Sequence, residues 1–411
     1  MAEALAGEVP AGAPLGIALS GGGDSMALLH LAREWGEAHG HPVEAVTVDH
    51  ALRPDSAAEA EGAAAAATAL GVPHRTVRLS DPRPTTGNLQ AWARGQRRAA
   101  IAAWAETRGI GHVALGHTED DQAETFLLNL ARGSGVDGLS AMAKRHEAEG
   151  LVWLRPLLQV RRATLRAFLR ARGATWVEDP SNDDPRFDRI RLRQALPMLE
   201  ELGLTAPRLA STASTMARAR QVLDDATRDL AAACLAFQAG AAQLRTAPYA
   251  GAPAETRRRL LAAALSLVAA QPYKPRLADL ERLDARIMVG GGGTLHGAVV
   301  AGTANGALIH RESAAIAAPM PWQPGTLWDG RWCLAPPDEP PEAATIGALG
   351  HDLVHCPDWR TAGLPQEVLR TTPAIRVAET LVAAPLAGLG TDWRARFTPP
   401  DPLGLLVADN R

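Results

Sequence analysis

The period of the hydrophobic positions changes along the chain. Residues 15–19 and 42–48 are apolar-rich runs that read as strands, and 74–79 and 111–116 read as a third and a fourth strand. Between them, apolar residues recur at helical spacing. Met26–Trp35 carries Leu28, Leu29 and Leu31 on one side, Ala57–Leu70 is alanine-rich and stops at Gly71, and a long segment from Asn88 to Arg108 has Trp92, Ala99 and Ala103 on its expected buried side. A further helix is expected after Gly116, burying Phe126, Leu127 and Leu130. Strands that alternate with helices predict an α/β fold, a parallel sheet with helices on both faces.

Beyond this the pattern loosens. Leu151–Arg172 reads as an arginine-rich helical bridge, and Glu178–Arg193 as a loop leading into an arginine-rich turn or helix. From Thr205 the composition shifts: Ala206–Ala239 and Ala254–Ala270 read as helices, and Thr294–Arg311 as a hairpin turning near Ala304-Asn305-Gly306, after a flexible glycine connection at 290–293. A Pro- and Trp-rich stretch from Pro319 precedes a strand hairpin over Thr326–Leu334 and short β elements near Pro373 and Leu381. Three domains are therefore expected: residues 1–203, a helical second domain with a hairpin over 204–315, and a small β-containing C-terminal region over 316–411.

The polar chemistry gathers at strand C-termini, where open parallel sheets bind ligands. Ser20-Gly21-Gly22-Gly23-Asp24-Ser25 lies between a strand and a helix. Such a turn aims free backbone N–H groups and a helix N-terminus at an anion, and glycines remove the Cβ atoms that would hold a phosphate off. It is not the common phosphate loop, because Asp24 stands near the place of that loop's lysine. An acid beside phosphate suits a bridging Mg²⁺, with Asp24 as its ligand. The second strand ends in Asp49-His50, followed by Arg53, a set that could hold adenine or ribose and a phosphate as readily as it could be a solvated loop. Arg94 and Arg97 share a helix face, either a guanidinium pair for phosphate or an exposed basic face. His117-Thr118-Glu119-Asp120-Asp121-Gln122-Ala123-Glu124 opens the next helix, with Asp121 and Glu124 on one side. Thr118 with Asp121 also fits a capping box, which accounts for one or two of these acids and less well for four. Arg161, Arg162, Arg166 and Arg170 form a basic stripe, equally suited to a phosphate backbone or to solvent.

Composition narrows the classes. At 411 residues with a formal net charge of −3, the chain does not advertise nucleic-acid binding as a whole, yet Arg155–Arg220 holds 13 arginines against seven acids. Lys144 and Lys274 are the only lysines, so the arginine preference itself carries little meaning. Cys234, Cys333 and Cys356 are far apart, which argues against a disulfide framework, a zinc site or a redox thiol and fits a reducing cytoplasm. No apolar run reaches the ~20 residues of a membrane span, and the N-terminus lacks the pattern of a signal peptide.

Taken together, Ser20–Ser25, Val48-Asp49-His50 with Arg53, Ala93-Arg94 with Arg97, and Gly116-His117 with Asp120-Asp121-Gln122 and Glu124-Thr125 resemble tRNA(Ile)-lysidine synthetase, of the PP-loop ATP pyrophosphatases. Gly138–Met142, Arg155-Pro156-Leu157-Leu158 and Glu178-Asp179-Pro180-Ser181-Asn182 extend the resemblance over about residues 10–200. The chain departs from it at Ile190, where the family often has Asn. The resemblance implies an adenine nucleotide α-hydrolase-like fold and a cytoplasmic ligase that uses ATP and Mg²⁺. It would adenylate the wobble cytidine of the CAU anticodon of tRNA(Ile), then join free L-lysine to C2. By that analogy Ser20, Gly21, Gly22, Gly23, Asp24, Ser25, Asp49, His50 and Arg53 bind ATP, and Arg97, His117, Asp121 and Glu124 act in catalysis. Asp121 and Glu124 would hold lysine, and Arg94, Arg189, Arg191 and Arg193 the tRNA, with residues 204–315 adding tRNA contacts and a homodimer left open. Two other readings remain: another PP-loop enzyme such as a tRNA thiolase, disfavoured because no cysteine precedes Cys234, and a non-catalytic ATP-dependent RNA-binding module.

Overall fold

Leu15–Ala18 forms β1, the strand around which the N-terminal half is built, and all four of its residues are buried. The computed structural model describes residues 1–49, 56–79, 89–177, 188–271, 273–401 and 403–405. His50, Arg53, Asn88 and the Glu178–Asn182 motif lie outside them. The chain divides into two compact units, Met1–Arg220 and Gln221–Arg411.

In the first unit a short helix α1 (Ala2–Leu5) precedes β1, and the chain then alternates: α2 (Gly23–His39), β2 (Val43–Asp49), α3 (Ser56–Ala69), β3 (His74–Arg78), α4 (Leu89–Thr107), β4 (His112–Leu115), α5 (Glu119–Ala131). After α6 (Val136–Leu139) come β5 (Arg145–Ala148), β6 (Leu151–Leu154), α7 (Arg162–Ala171) and α8 (Asp188–Glu201). The 29-residue α9 (Ala206–Cys234) follows. The six-stranded sheet has the order β3-β2-β1-β4-β6-β5. β1 pairs in parallel with β2 and β4, β2 with β3, and β4 with β6; only β5 is antiparallel. The chain steps outward from β1 to β3, then crosses back to β4. Strand order therefore reverses between β1 and β4, and a crevice opens outside the carboxyl ends of that pair.

Alternation along the strands sorts the two faces. Leu15 and Ile17 pack with Leu28, Leu29 and Ala32 of α2 and Leu165 and Leu169 of α7. Ala18, Val46 and Val113 pack with Ile101, Trp104 and Ala105 of α4. A Cβ on Gly16 would approach the Trp104 ring to 3.1 Å, so the glycine makes room for it. Two expectations fail here. The buried side of α4 is Ile101, Trp104 and Ala105, whereas Ala99 and Ala103 are exposed, because the large side chains set the rotation of the helix. Leu130 is 52% exposed; Ala123, Phe126 and Leu127 bury α5 against α8 and the start of α9. The stretch expected to be a helical bridge contains the strand β6 as well as α7.

In the second unit, α9 ends at Cys234 and the chain turns at once into β7 (Leu235–Gln238) and β8 (Ala241–Arg245), where helix was expected to Ala239. Ala239 and Gly240 have positive φ, which closes this hairpin. Helices α10 (Thr246–Gly251), α11 (Ala254–Ala269) and α12 (Leu277–Met288) pack on the antiparallel sheet β7-β8-β11-β10-β9, with β9 at Gly293–Leu295, β10 at Ala298–Thr303 and β11 at Gly306–Arg311. The glycine run leading to β9 is a close approach: a Cβ on Gly292 would meet the Val300 carbonyl oxygen at 2.0 Å. Two small sheets follow, β12-β15-β16-β17 and β13-β14-β18. Their strands are β12 (Met320–Pro321), β13 (Leu327–Trp328), β14 (Trp332–Ala335), β15 (Thr345–Ala348), β16 (Pro373–Val377), β17 (Thr380–Ala383) and β18 (Arg394–Phe397), with α13 (Gln366–Leu369) before β16. One hydrophobic cluster runs from Leu230 to Leu405 and draws residues from both sides of the Pro-rich stretch. Asp329 sits within this unit, pairing with Arg311 at 2.9 Å and Arg331 at 2.8 Å, all three nearly inaccessible.

Candidate active site

The loop after β1 is pinned by its own serines. Ser20 donates to Ser25 Oγ from its backbone N–H at 3.1 Å and from its hydroxyl at 3.0 Å, and Ser25 Oγ donates to the Gly22 carbonyl at 2.9 Å. Gly21 turns with φ +81°, a conformation that favours glycine, and Gly22 caps α2 without a side-chain bond. The first-turn N–H groups of a 17-residue helix thus face the crevice end of β1.

The tip of β4 lies against the same turn. A Cβ on Gly116 would come within 3.0 Å of Ser25 N and 3.1 Å of Asp24 C, so the bare glycine sets how closely the loop and the start of α5 approach. Thr118 caps α5 and forms a capping box with Asp121, its N–H and hydroxyl both donating to Asp121 Oδ2 at 2.8 Å. The capping role therefore holds one oxygen of Asp121 and leaves Oδ1 for another partner.

That partner is Arg162, the first residue of α7. Its Nε donates to Asp24 Oδ2 at 2.9 Å and its Nη2 to Asp121 Oδ1 at 2.8 Å, while Nη1 lies 3.5 Å from Glu124 Oε1. One guanidinium joins the glycine loop to the acidic helix tip. Burial works against its charge, but Asp121, Asp24 and Glu124 outweigh burial and hold it firmly protonated. Arg193 reaches in from α8, donating to Glu124 Oε1 at 2.6 Å and to Oε2 at 3.2 Å. Three carboxylates thus meet two guanidiniums, and the positive charge of Arg166 also acts on Asp24. Burial pushes the Asp24 carboxyl up from its ordinary range, Arg162 opposing and Asp121 assisting. For Asp121 burial acts upward too, but Arg162 and the Thr118 bonds prevail and hold it below that range.

A basic side faces this acidic knot. Arg97 is partly buried, has no ion-pair partner among the described residues, and burial lowers its pKa. Burial, Arg189 and Arg98 lower that of Arg94. His117 is pushed down to about 4, first by burial and then by Arg155, Arg189 and Arg97, against the pull of Asp121. Buried polar atoms without partners collect here: Asp24 Oδ1, His117 Nδ1, Thr125 Oγ1, Arg155 Nε and Trp176 Nε1. Unmet donors and acceptors at this density mark a place built for polar ligands.

A PP-loop domain matches residues 4–199. A tRNA(Ile)-lysidine synthase of Ruegeria pomeroyi is 41% identical over 93% of this chain and 91% of its own. The chain belongs to the tRNA(Ile)-lysidine synthase family. A second member, from Rhodopseudomonas palustris, is 44% identical over 61% of this chain and 73% of its own. Among solved structures, the U34-tRNA thiolase NcsA from Methanococcus maripaludis with its [4Fe-4S] cluster covers 51% of this chain and 73% of that chain at 17% identity, with a TM-score of 0.44.

Within this family member the structure brings Ser20–Ser25, His117, Asp121 and Glu124 to one crevice, with Arg94, Arg97 and Arg189 on its basic side. Asp49 is buried at the end of β2, its Oδ2 lying 3.8 Å from Arg78 Nε. The three arginines of α8 diverge: Arg189 lies by Arg94 and His117, Arg191 pairs with Asp188, and Arg193 enters the acidic knot. Ile190 is buried between them. The sequence places Arg161 and Arg162 in a basic stripe suited equally to a phosphate backbone or to solvent, but Arg161 pairs with Asp120 at 3.1 Å and Arg162 is central to the site. A signal was present: paired arginines at a helix start, with no acid in that first turn, oppose the helix dipole and need acids from elsewhere. Asp120 supplies one, accepting from the Arg162 N–H at 2.7 Å.

The low pKa of His117 makes a stability prediction. The unfolded chain protonates this imidazole near pH 6.5 while the folded chain refuses the proton until about pH 4. Stability is therefore unaffected by His117 above about pH 7 and declines as pH falls from about 6.5 to about 4. Thermal unfolding of wild type and His117→Gln at pH 7.5 and pH 5 should show a smaller acid-side loss in the variant. Equal losses would contradict the neutral buried imidazole.

Proposed function

We propose that this chain ligates the ε-amine of free L-lysine to C2 of the wobble cytidine in the CAU anticodon of tRNA(Ile), through an adenylated cytidine. The observation that carries the reading is the Arg162 bridge, which ties the phosphate-loop acid Asp24 to Asp121 and Glu124. Nucleotide and amine sites therefore adjoin, as a two-step transfer on one base requires.

In the first step the cytidine C2 oxygen attacks the α-phosphorus of ATP and pyrophosphate leaves. The N–H groups at the start of α2 hold phosphate oxygens, and the Ser20 and Ser25 hydroxyls, bonded to each other and to the Gly22 carbonyl, hold the shape of the loop. Arg97, a cation without a counter-ion among the described residues, balances charge growing on the α-phosphate. In the second step the lysine nitrogen attacks C2, the bond from C2 to oxygen breaks, AMP departs and the amine loses a proton. Free lysine has a side-chain pKa of about 10.4, and a carboxylate beside it favours the ammonium form. Asp121 and Glu124 therefore orient lysine, and deprotonation accompanies its desolvation. Arg94, Arg189 and Arg191 offer charge to the tRNA backbone.

Asp24 fits Mg²⁺: its Oδ1 is buried, is a hard oxygen donor and has no hydrogen-bond partner among the described residues. No group of three or more His, Cys, Asp or Glu residues able to hold a metal exists among the described residues, so phosphate oxygens and water would complete the shell. When bound, the ion neutralises phosphate charge.

The test is transfer of radiolabelled lysine from solution to a CAU-bearing tRNA(Ile) transcript with ATP and Mg²⁺. ATP-dependent label in the tRNA is expected. ATP binding without transfer would favour the non-catalytic RNA-binding module.

A further inference from the structure

A feature outside Ser20–Ser25 sits on the phosphate turn. After α7 the chain runs back alongside residues 21–23. The Val177 N–H donates to the Gly21 carbonyl at 3.0 Å, and Val177 forms a parallel β-bridge with Gly22. This bridge delivers Trp176 onto Gly23, the first residue of α2: a Cβ there would meet the indole Cδ1 and Nε1 at 3.3 Å. Gly23 is thus bare on account of the indole as well as of phosphate. The ring is partly buried against the core that holds α2 and α7, and the Arg170 guanidinium lies 5.9 Å from its centre. Its Nε1 is buried and has no acceptor among the described residues. An indole N–H is a donor only, and an unmet buried donor is costly unless a ligand supplies the acceptor. The adjacent first turn of α2 carries free backbone N–H groups, and the nearby Asp24 Oδ1 is a second buried atom awaiting a partner.

We propose that Trp176 is a nucleotide-binding residue: it lies as a lid on the phosphate loop, and its indole N–H donates to a phosphate oxygen of ATP, adding a neutral side-chain donor to the backbone cradle. The inference rests on the proposed function only in taking the loop as an ATP site. The bridge through Val177 fixes the loop and the donor together, so the indole is in place before the nucleotide arrives.

Two measurements on the full-length chain test this, neither requiring tRNA. The first is the dissociation constant of MgATP for wild type and Trp176→Phe, which keeps an aromatic ring on Gly23 and removes the N–H. A 5- to 10-fold weakening is expected, with unchanged thermal unfolding and, in the transfer assay, an unchanged KM for lysine. The second is the ¹⁵N-indole spectrum, with the Trp176 N–H signal assigned by its absence in Trp176→Phe. Titration with magnesium pyrophosphate, and separately with MgATP, should shift that signal. Equal MgATP affinity in the two proteins with an unmoved indole signal would overturn the inference while leaving the ligase reading intact. Wild type that binds MgATP with a shifted indole but transfers no lysine would overturn the ligase reading and uphold Trp176. A Trp176→Phe protein that unfolds at lower temperature and weakens ATP and lysine alike would show a packing role only and would also overturn it.

Discussion

Arg162→Met is expected to lower kcat/KM for lysine transfer by on the order of 100-fold or more, with the protein still folded. The side chain donates to Asp24 at 2.9 Å and Asp121 at 2.8 Å and approaches Glu124 to 3.5 Å. Methionine preserves most of the apolar stem and removes the charge. Three partly or fully buried carboxylates would then face one another with less positive charge among them, and like charges at this range separate or take up protons. Either outcome displaces the groups that position nucleotide and amine, and a 1 Å misplacement costs about two orders of magnitude in rate. Arg162→Lys should recover only part of the loss, because an ammonium is a point charge and cannot offer the planar fork that meets three acids at once. Steady-state transfer with each substrate varied in turn measures this. Activity of Arg162→Met within about threefold of wild type would contradict the bridging role.

The second large effect is on stability. Asp329→Asn should lower the thermal midpoint of the second unit by on the order of 10 °C. Asp329 is the acid between two buried guanidiniums, accepting from Arg311 at 3.0 and 2.9 Å, from Arg331 at 2.8 Å, and from the Ala317 N–H at 3.0 Å. Arg331 spends its other donors on the Gly240 and Thr371 carbonyls, so this charge also joins three segments of the chain. Burial alone would push Asp329 up, yet the two arginines and the Ala317 N–H hold it below the usual carboxylate range. Asparagine suits the test because Asp329 has φ +51°, which asparagine tolerates better than alanine, so the loss of charge is isolated from backbone strain. Removing one member of a buried ion network costs about 3–5 kcal/mol. Thermal unfolding followed by circular dichroism reads the shift. A midpoint within about 2 °C of wild type would show that the two guanidiniums are solvated without their acid.

These two sites differ in how far the sequence announced them. The strand and helix alternation up to Ala131 was legible because β1, β2 and β4 are short apolar-rich runs with helical spacing between them, while β3, His-Arg-Thr-Val-Arg, is mostly exposed. Where burial is one-sided and the residues small, phase was lost: in α4 Ala99 and Ala103 are exposed while Ile101, Trp104 and Ala105 make the buried face. β5, with the sequence Arg-His-Glu-Ala, is polar and mostly exposed, and exists by pairing with β6, which no local pattern reveals. β7 and β8 hid in an alanine-rich run whose strands are set by the tight turn at Ala239-Gly240. In the candidate site, Ser20–Ser25 and the acidic start of α5 were readable because glycine, hydroxyl and carboxylate at strand ends have a direct chemical meaning. Arg162 and Trp176 were not, since both act across more than 130 residues of chain on groups that only the fold brings near. Arginine abundance also masked which guanidiniums turn inward.

The central claim is that nucleotide activation and amine capture are separate tasks of adjoining residues, with Glu124 serving the amine. Glu124→Gln with a CAU-bearing tRNA(Ile) tests it most directly, following label from α-³²P ATP into tRNA alongside labelled lysine. The account predicts that adenylated tRNA still forms and accumulates, and that lysine transfer falls through a KM for lysine raised by at least about tenfold, recovering at high lysine. An unchanged KM with kcat abolished, or loss of adenylation and transfer in equal measure, would contradict it.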